Sequence, residues 1–295
     1  MPEAPELDVL AENLAAQLAG RTVRAVRVLN PAALKTFDPP VDALVGQPVT
    51  GTGRRGKYVW LETGPSGQDG QDGRAPGGLR LVVHLSLGGR VTLGAKAAGR
   101  RIGLFAVEFD DGRVMSVTEA GTQRRASVWV VRDVQDVPPL AGLAIEPLDA
   151  AFTVDHLAGV LAMGGHTLKG MLTDQKLIAG VGNAWSDEVL HRARLSPFAR
   201  PERLGPAEVE VLHDTLVAVL TEARGALAEQ VAGRVEIPRA AERSFAVHGR
   251  AGAACFVCGD TVRSVWMGER ETSYCPTCQT GGRILADRRR SRFLR

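Results

Sequence analysis

The chain has 295 residues, 44% of them hydrophobic, which excludes a disordered polypeptide and allows two domains with packed cores. A net charge of +3 does not by itself mark a nucleic-acid binder. Arginines nevertheless gather at 54–55, 100–101, 124–125 and 288–290, and local clusters of this kind suit phosphate. No apolar run is long enough to span a bilayer, and no basic segment followed by an apolar one opens the chain, so a cytoplasmic protein is expected.

Leu7, Leu10, Leu14 and Leu18 recur at helical spacing after Met1-Pro2-Glu3, and Gly20 supplies a stop. The period then changes. Segments 23–29, 58–62, 79–87, 90–93, 104–109, 113–117 and 128–133 are short, rich in Val and Leu, and separated by Gly, Asp or Pro. That pattern predicts a β-sandwich or barrel, with a hairpin turn at Asp110-Asp111-Gly112. Residues 64–78 read as a mobile surface loop between two strands. Pro138-Pro139 opens a linker, beyond which the pattern is helical. Thr153 and Thr167 are expected N-caps of two short helices, 176–183 a glycine-containing connection, and 184–194 a further helix. Pro206 opens a longer one with Val209, Leu212, Leu216, Val219, Ala223 and Leu227 on one face. The expected order is a β-domain over 1–135, a linker over 136–150, a helical domain over 151–244, a cysteine module over 245–279 and a basic tail over 280–295.

All four cysteines lie in that module, as Cys255-x-x-Cys258 and Cys275-x-x-Cys278 with sixteen residues between the pairs. Each pair offers two thiolates from one tight turn, and two pairs complete a tetrahedron around Zn²⁺. Disulfides or free core thiols are the other readings, and both fit a cytosolic chain poorly. Four protein ligands leave no open position for water, so the metal is expected to be structural. It would stiffen a hairpin over 261–274 that carries Arg263 and Arg270.

Pro2 follows the initiator Met1, and removal of Met1 would expose a secondary amine. An α-amine titrates near pH ~8, so a fair fraction is neutral at physiological pH and able to attack the anomeric carbon of a sugar. The product is an iminium ion, an electron sink that acidifies the neighbouring sugar carbon. Glu3 stands beside it as a proton donor or acceptor, although alone it could simply favour the helix that follows.

MPEAPEL at the start, GRRGKY at 53–58, VVHLSLGGR at 82–90, LKGMLTDQKLIAGVGNAWSDEVL at 168–190 and VHGRAGAACFVCG with RETSYCPTCQ over 247–279 occur in order. Together they strongly resemble the formamidopyrimidine-DNA glycosylase and endonuclease VIII family along nearly the whole chain. The resemblance implies a multidomain α+β fold: an N-terminal β-sandwich preceded by a helix, then a helix–two-turns–helix domain with a C-terminal zinc finger, and DNA in the cleft between domains. It implies a bifunctional DNA glycosylase/AP lyase that excises oxidised bases through a Schiff base on Pro2 with β,δ-elimination. The protein would be a monomer in the bacterial cytoplasm, associated with the nucleoid, whose partner is damaged double-stranded DNA. It would carry one structural Zn²⁺ and use no catalytic metal or soluble cofactor.

By the same resemblance Glu3 is the acid that helps open the deoxyribose, and Glu6 supports it. Lys57 contacts phosphate and assists elimination. Lys169, Asn183 and Arg270 hold phosphate, and Leu87 fills the void left by an everted base. Read without the family, Lys57 is a strand-end lysine, Lys169 a solvated helical charge, Asn183 an N-cap, Glu6 an exposed first-turn residue, Leu87 a buried strand leucine and Arg270 a solvent-facing hairpin charge. Residues 118–126 and 230–246 depart from the formamidopyrimidine branch. In the first of these, Arg124 or Arg125 would supply the arginine that probes the opposite base. These departures bear on the choice between oxidised purines and oxidised pyrimidines. Two alternatives are a non-catalytic damaged-DNA-binding protein of the same fold and a zinc-ribbon interaction module with no DNA role.

Overall fold

The computed structural model describes residues 1–64, 78–239, 242–267 and 270–286. Most of the expected loop over 64–78, most of the tail over 280–295, and Arg288–Arg290 lie outside them. Contacts divide the chain into two units, Met1–Gly142 with Arg224–Pro238, and Leu143–Ala223 with Arg239–Arg295.

The first unit begins with helix α1 (Ala4–Leu18), whose Leu7, Leu10, Leu14 and Leu18 are all buried. Eight strands follow: β1 (Val23–Val28), β2 (Val49–Arg55), β3 (Tyr58–Thr63), β4 (Leu79–His84), β5 (Gly89–Gly94), β6 (Gly103–Phe109), β7 (Val114–Glu119) and β8 (Ser127–Val131). They form two antiparallel four-stranded sheets, ordered β1-β6-β7-β5 and β2-β3-β4-β8. Leu14 of α1, Leu61 and Leu81 of one sheet, and Val91 and Met115 of the other line a common small gap. The helix and both sheets therefore share one core, as in a sandwich.

Strand β2 is absent from the sequence reading. Its residues, VTGTGRR, contain a single large aliphatic, and it lies at a sheet edge where little apolar surface is needed. Two bonds hold α1 on this edge. Thr52 Oγ1 donates to the Ala11 carbonyl at 2.9 Å, and Arg54 Nε donates to Asp8 Oδ1 at 2.6 Å. Arg54, read from sequence as part of a phosphate cluster, is thus engaged inside the unit.

In the second unit the two threonines cap as expected. Thr153 accepts from His156 N at 3.1 Å to start α2 (Val154–Ala162), and Thr167 accepts from Gly170 N at 3.2 Å to start α3 (Leu168–Thr173). Each such cap stabilises its helix by roughly 1 kcal/mol. Gln175 closes the connection to α4 (Asn183–Arg192): its Nε2 donates to the Val181 carbonyl at 2.8 Å, and its Oε1 accepts from Gly180 N at 3.0 Å. Helix α5 runs Pro206–Val231, with its residues from Arg224 on in the first unit, and buries all six residues of the predicted face. The final elements are the hairpin β9 (Arg263–Met267) and β10 (Arg270–Tyr274), then α6 (Pro276–Thr280). No helix among the described residues is long and apolar enough to cross a membrane.

Candidate active site and nucleic-acid interface

Pro2 and Glu3 sit at the head of α1, both buried, with Glu3 at the N-cap. Glu6 is not the exposed first-turn residue of the simpler reading. It is fully buried, and its Oε2 accepts the Glu3 backbone N–H at 2.8 Å, the N3 half of a capping box. That bond fixes the chain direction at the position that carries the amine.

Lys57 occupies the two-residue turn between β2 and β3, where Gly56 adopts φ 57°. Its side chain is buried rather than an ordinary strand-end charge. Arg54 bonds both Asp8 of α1 and, at 3.1 Å, the Gly56 carbonyl, so one guanidinium ties the helix that presents Pro2 to the turn that presents Lys57. Tyr58 stacks on His84 across the β3–β4 pair, with ring centroids 4.6 Å apart. Burial, and then the charge of Lys57, push the His84 imidazole down to about 4. A neutral ring therefore faces Lys57 at physiological pH.

The predicted strand over 79–87 stops at His84, and the chain turns at residues 85–88. Gly89 N donates to the Leu85 carbonyl at 2.8 Å, and a Cβ at Gly89 would lie 2.2 Å from that same oxygen. Only glycine closes this turn. Ser86 adopts φ 51°, an uncommon conformation for a residue with a side chain. The result is Leu87, 66% exposed at the tip, not a buried strand leucine. An apolar side chain held out on a tight turn is suited to enter a base stack.

The segment carrying Arg124 and Arg125 is anchored by the buried Glu119, whose Oε2 accepts from Arg125 N at 2.6 Å and Ala126 N at 2.8 Å. Arg124 donates to the Arg101 carbonyl, and Arg125 donates to Gln123 Oε1 at 2.9 Å. Both arginines remain exposed.

In the second unit α4 is the organising element. Lys169 is not a solvated helical charge: it is buried, pairs with the fully buried Asp187, and donates to the Asn183 carbonyl at 3.3 Å. Gly182 is the N-cap of α4, and Asn183 is its first helical residue rather than the cap. Asn183 Nδ2 donates to the Glu271 carbonyl at 2.9 Å, which joins α4 to β10. Asp187 Oδ2 accepts from His248 Nδ1 at 2.8 Å and from Ser273 N at 3.2 Å. Glu188 accepts three consecutive backbone N–H groups, Ala246, Val247 and His248, at 2.6–3.0 Å. Sequence reasoning gave Asp187 and Glu188 no role. Two adjacent carboxylates on a mostly buried helix are their only signal.

Arg270 is exposed and donates to Thr173 Oγ1 at 3.4 Å. With Thr167, Lys169, Thr173, Phe198 and Thr272 it lines a concavity of about 260 Å³. Arg270 brings an exposed cation to this hollow, three threonines line it, and the Lys169 charge beside it is balanced by Asp187.

The cysteine sulfurs converge. Cys255 and Cys278 are 3.9 Å apart, and Cys258 and Cys275 are 3.4 Å apart. The edge of a tetrahedral zinc–thiolate site is about 3.8 Å for a Zn–S bond of about 2.3 Å, so the donor set fits that ion. Burial, and then hydrogen bonds shared with Cys258 and Cys255, push the Cys275 thiol up to about 11, and Cys278 is pushed up for like reasons. Sulfurs this close resist ionising together unless a cation neutralises them. His191, which the sequence reading did not single out, places its ring nitrogen within 4.8 Å of the sulfurs of Cys255, Cys275 and Cys278.

A β-sandwich headed by a short helix, a helix–two-turns–helix segment and a cysteine hairpin define a class of DNA glycosylases. Residues 1–126 match the formamidopyrimidine-DNA glycosylase N-terminal domain, and residues 143–231 match the formamidopyrimidine-DNA glycosylase H2TH domain. The formamidopyrimidine-DNA glycosylase of Mycobacterium sp. strain KMS is 34% identical over 301 residues, covering 96% of this chain and 99% of the relative. The crystal structure of the MutM (Fpg) protein from Thermus thermophilus superposes with a TM-score of 0.77 at 30% identity, over 94% of this chain and 98% of that one. A complex of Lactococcus lactis Fpg with abasic-site DNA gives 0.79 at 24% identity, covering 94% and 99%, and supports the fold alone. The chain belongs to the formamidopyrimidine-DNA glycosylase family. It is a DNA glycosylase with AP lyase activity, and the two alternatives to an enzyme gain no support.

Proposed function

We propose that Pro2, exposed by removal of Met1, is the nucleophile of a β,δ-eliminating glycosylase for oxidised bases. The observation that carries this is the head of α1: Pro2 beside buried Glu3, with Glu6 holding the backbone between them in a fixed direction. The neutral amine attacks C1′ of the everted nucleotide, and the base leaves with the electrons of the glycosidic bond and takes up the proton that the attacking nitrogen loses. Glu3 delivers the proton that opens the sugar ring, and the nitrogen becomes an iminium ion. Loss of the acidified C2′ proton then expels the 3′ phosphate, with Lys57 beside the phosphate to assist. A second elimination expels the 5′ phosphate. Leu87 fills the gap in the stack, which offsets part of the few kcal/mol that eversion costs. Arg124 or Arg125 reads the opposite base.

The helical and cysteine segments hold the DNA backbone. Arg270 and Lys169 meet phosphate at their shared hollow, and Asn183 offers its remaining amide hydrogen. One Zn²⁺ held by Cys255, Cys258, Cys275 and Cys278 would supply no chemistry and only stiffen the hairpin that carries Arg270. Arg270→Ala is expected to weaken DNA binding, lower turnover, and reduce the magnitude of the log K against log salt slope by about 1, with an unchanged melting temperature. An unchanged slope with unchanged activity would place Arg270 on a solvated face.

The lesion favoured is a formamidopyrimidine or oxidised guanine. The GRRGKY turn, the cysteine hairpin and the name of the mycobacterial relative, a formamidopyrimidine-DNA glycosylase, support that choice. Single-turnover excision from duplexes that each hold one defined lesion tests it. Faster release of the purine lesions is expected, and a clear preference for thymine glycol would reverse the order.

A further inference from the structure

His191 lies in the last turn of α4 and is 4% exposed. Its Nε2 is 3.3 Å from Cys255 Sγ. The ring nitrogen also lies within 4.8 Å of the sulfurs of Cys275 and Cys278. The two cysteine pairs by themselves offer the four thiolates that a structural zinc site takes, which leaves the imidazole free to act on a ligand instead of on the ion.

We propose that His191 is a positioning residue of the metal centre: it donates its Nε2 proton to the zinc-bound thiolate of Cys255 and so anchors the cysteine module to α4. The proposal rests on the zinc reading above. Four thiolates around Zn²⁺ carry a net charge of −2, and a hydrogen bond to one sulfur draws off part of that charge. It also fixes the orientation of the ligand, and partners of this kind typically govern metal affinity. The same helix bears Asn183 at its first turn and Asp187 and Glu188 in its middle, each bonded to the cysteine module. His191 thus makes the last of a series of contacts along one helix, and the only one that reaches a sulfur among the described residues.

The test uses the full chain and its His191→Phe and His191→Gln variants. Phenylalanine keeps a ring but has no N–H, while glutamine places an amide N–H near the position of Nε2. Metal content of the unmodified chain is measured first. Zinc transfer to a chromogenic chelator is then followed, and the absorption spectrum of the Co²⁺-substituted proteins is recorded. Expected are one zinc per chain, release roughly 10-fold faster in His191→Phe, and recovery of most of that loss in His191→Gln. The Co²⁺ bands should be those of four sulfurs in all three proteins. Equal release rates in the unmodified chain and both variants would overturn the proposal while leaving the zinc site intact. So would bands that change from a three-sulfur, one-nitrogen pattern on substitution, because His191 would then be a ligand. An unmodified chain without zinc would overturn the zinc reading and this proposal together. If His191→Phe does not fold, release from His191→Gln decides: near-normal release supports the N–H bond, and release as fast as from a Cys255→Ala chain contradicts it.

Discussion

A chain that keeps extra residues in front of Pro2 is expected to bind abasic-analogue DNA with little change and to lose strand cleavage by on the order of 10⁴-fold or more, the scale of removing a covalent nucleophile. The lone pair of the amide nitrogen so created is delocalised into the carbonyl and does not attack a sugar. Glu3→Gln should separate the two half-reactions. Excision of a damaged base needs a proton at the sugar or the base and should slow strongly, whereas cleavage at a ready-made abasic site should be largely spared. Acid should mimic the block for a different reason. Below the amine's pKa, about 8 for an α-amine, the nitrogen is protonated, and the attacking fraction falls tenfold for each pH unit. Single-turnover rates on lesion and abasic duplexes, with and without the extension, check all three. Equal cleavage by extended and unextended chains would remove Pro2 from the chemistry.

Cys275→Ala is expected to have the second largest effect. Cys275 is fully buried, and its loss opens the metal site. Apparent zinc binding to structural sites contributes about 10–16 kcal/mol near neutral pH, so a hairpin this small should lose its order without the ion. The consequences should extend along α4, because Asn183 bonds Glu271 and Asp187 bonds Ser273 of the same hairpin. With β10 released, Asp187 and Lys169 keep each other but lose the wall around them. Hydrogen exchange should show β9 and β10 unprotected and α4 partly so, and DNA affinity should fall with them. Retention of one zinc, or protection of β10 equal to that of the unmodified chain, would contradict the proposed ligand set.

Much of this could be read along the chain wherever a local rule applies. Thr153 and Thr167 cap helices because a hydroxyl two or three residues before free N–H groups is a local arrangement. The six apolar positions of α5 and the spacing of the four cysteines are equally local. Strand β2 was not legible, because an edge strand of Thr and Gly has no apolar alternation to reveal it. Lys169 misled for the opposite reason. A lysine on a short helix reads as solvated, and its burial depends on Asp187, eighteen residues on. Glu6 reads as an exposed helix-start charge until the Glu3 N–H is seen to need its carboxylate. Leu87 reads as strand because Gly88-Gly89 marks a turn only after it, and the Leu85–Gly89 closure starts the turn earlier and sends it outward. His191 carries no sequence signal and Glu188 only that of an adjacent carboxylate, since their partners lie 64 and 58–60 residues away. The candidate chemical groups were thus proposed through motif, while the groups that hold them in place emerged only from tertiary packing.

The central claim is that the first covalent bond to DNA forms at the nitrogen of Pro2. Borohydride reduces an iminium ion to a stable amine, so enzyme and lesion-bearing strand stay joined under denaturing conditions. Peptide mapping of the trapped complex then locates the bond. The expected result is a sugar remnant on the N-terminal peptide, at Pro2, with trapping lost when residues precede it. An adduct on Lys57 or any other internal lysine, or undiminished trapping with the extension in place, would contradict it.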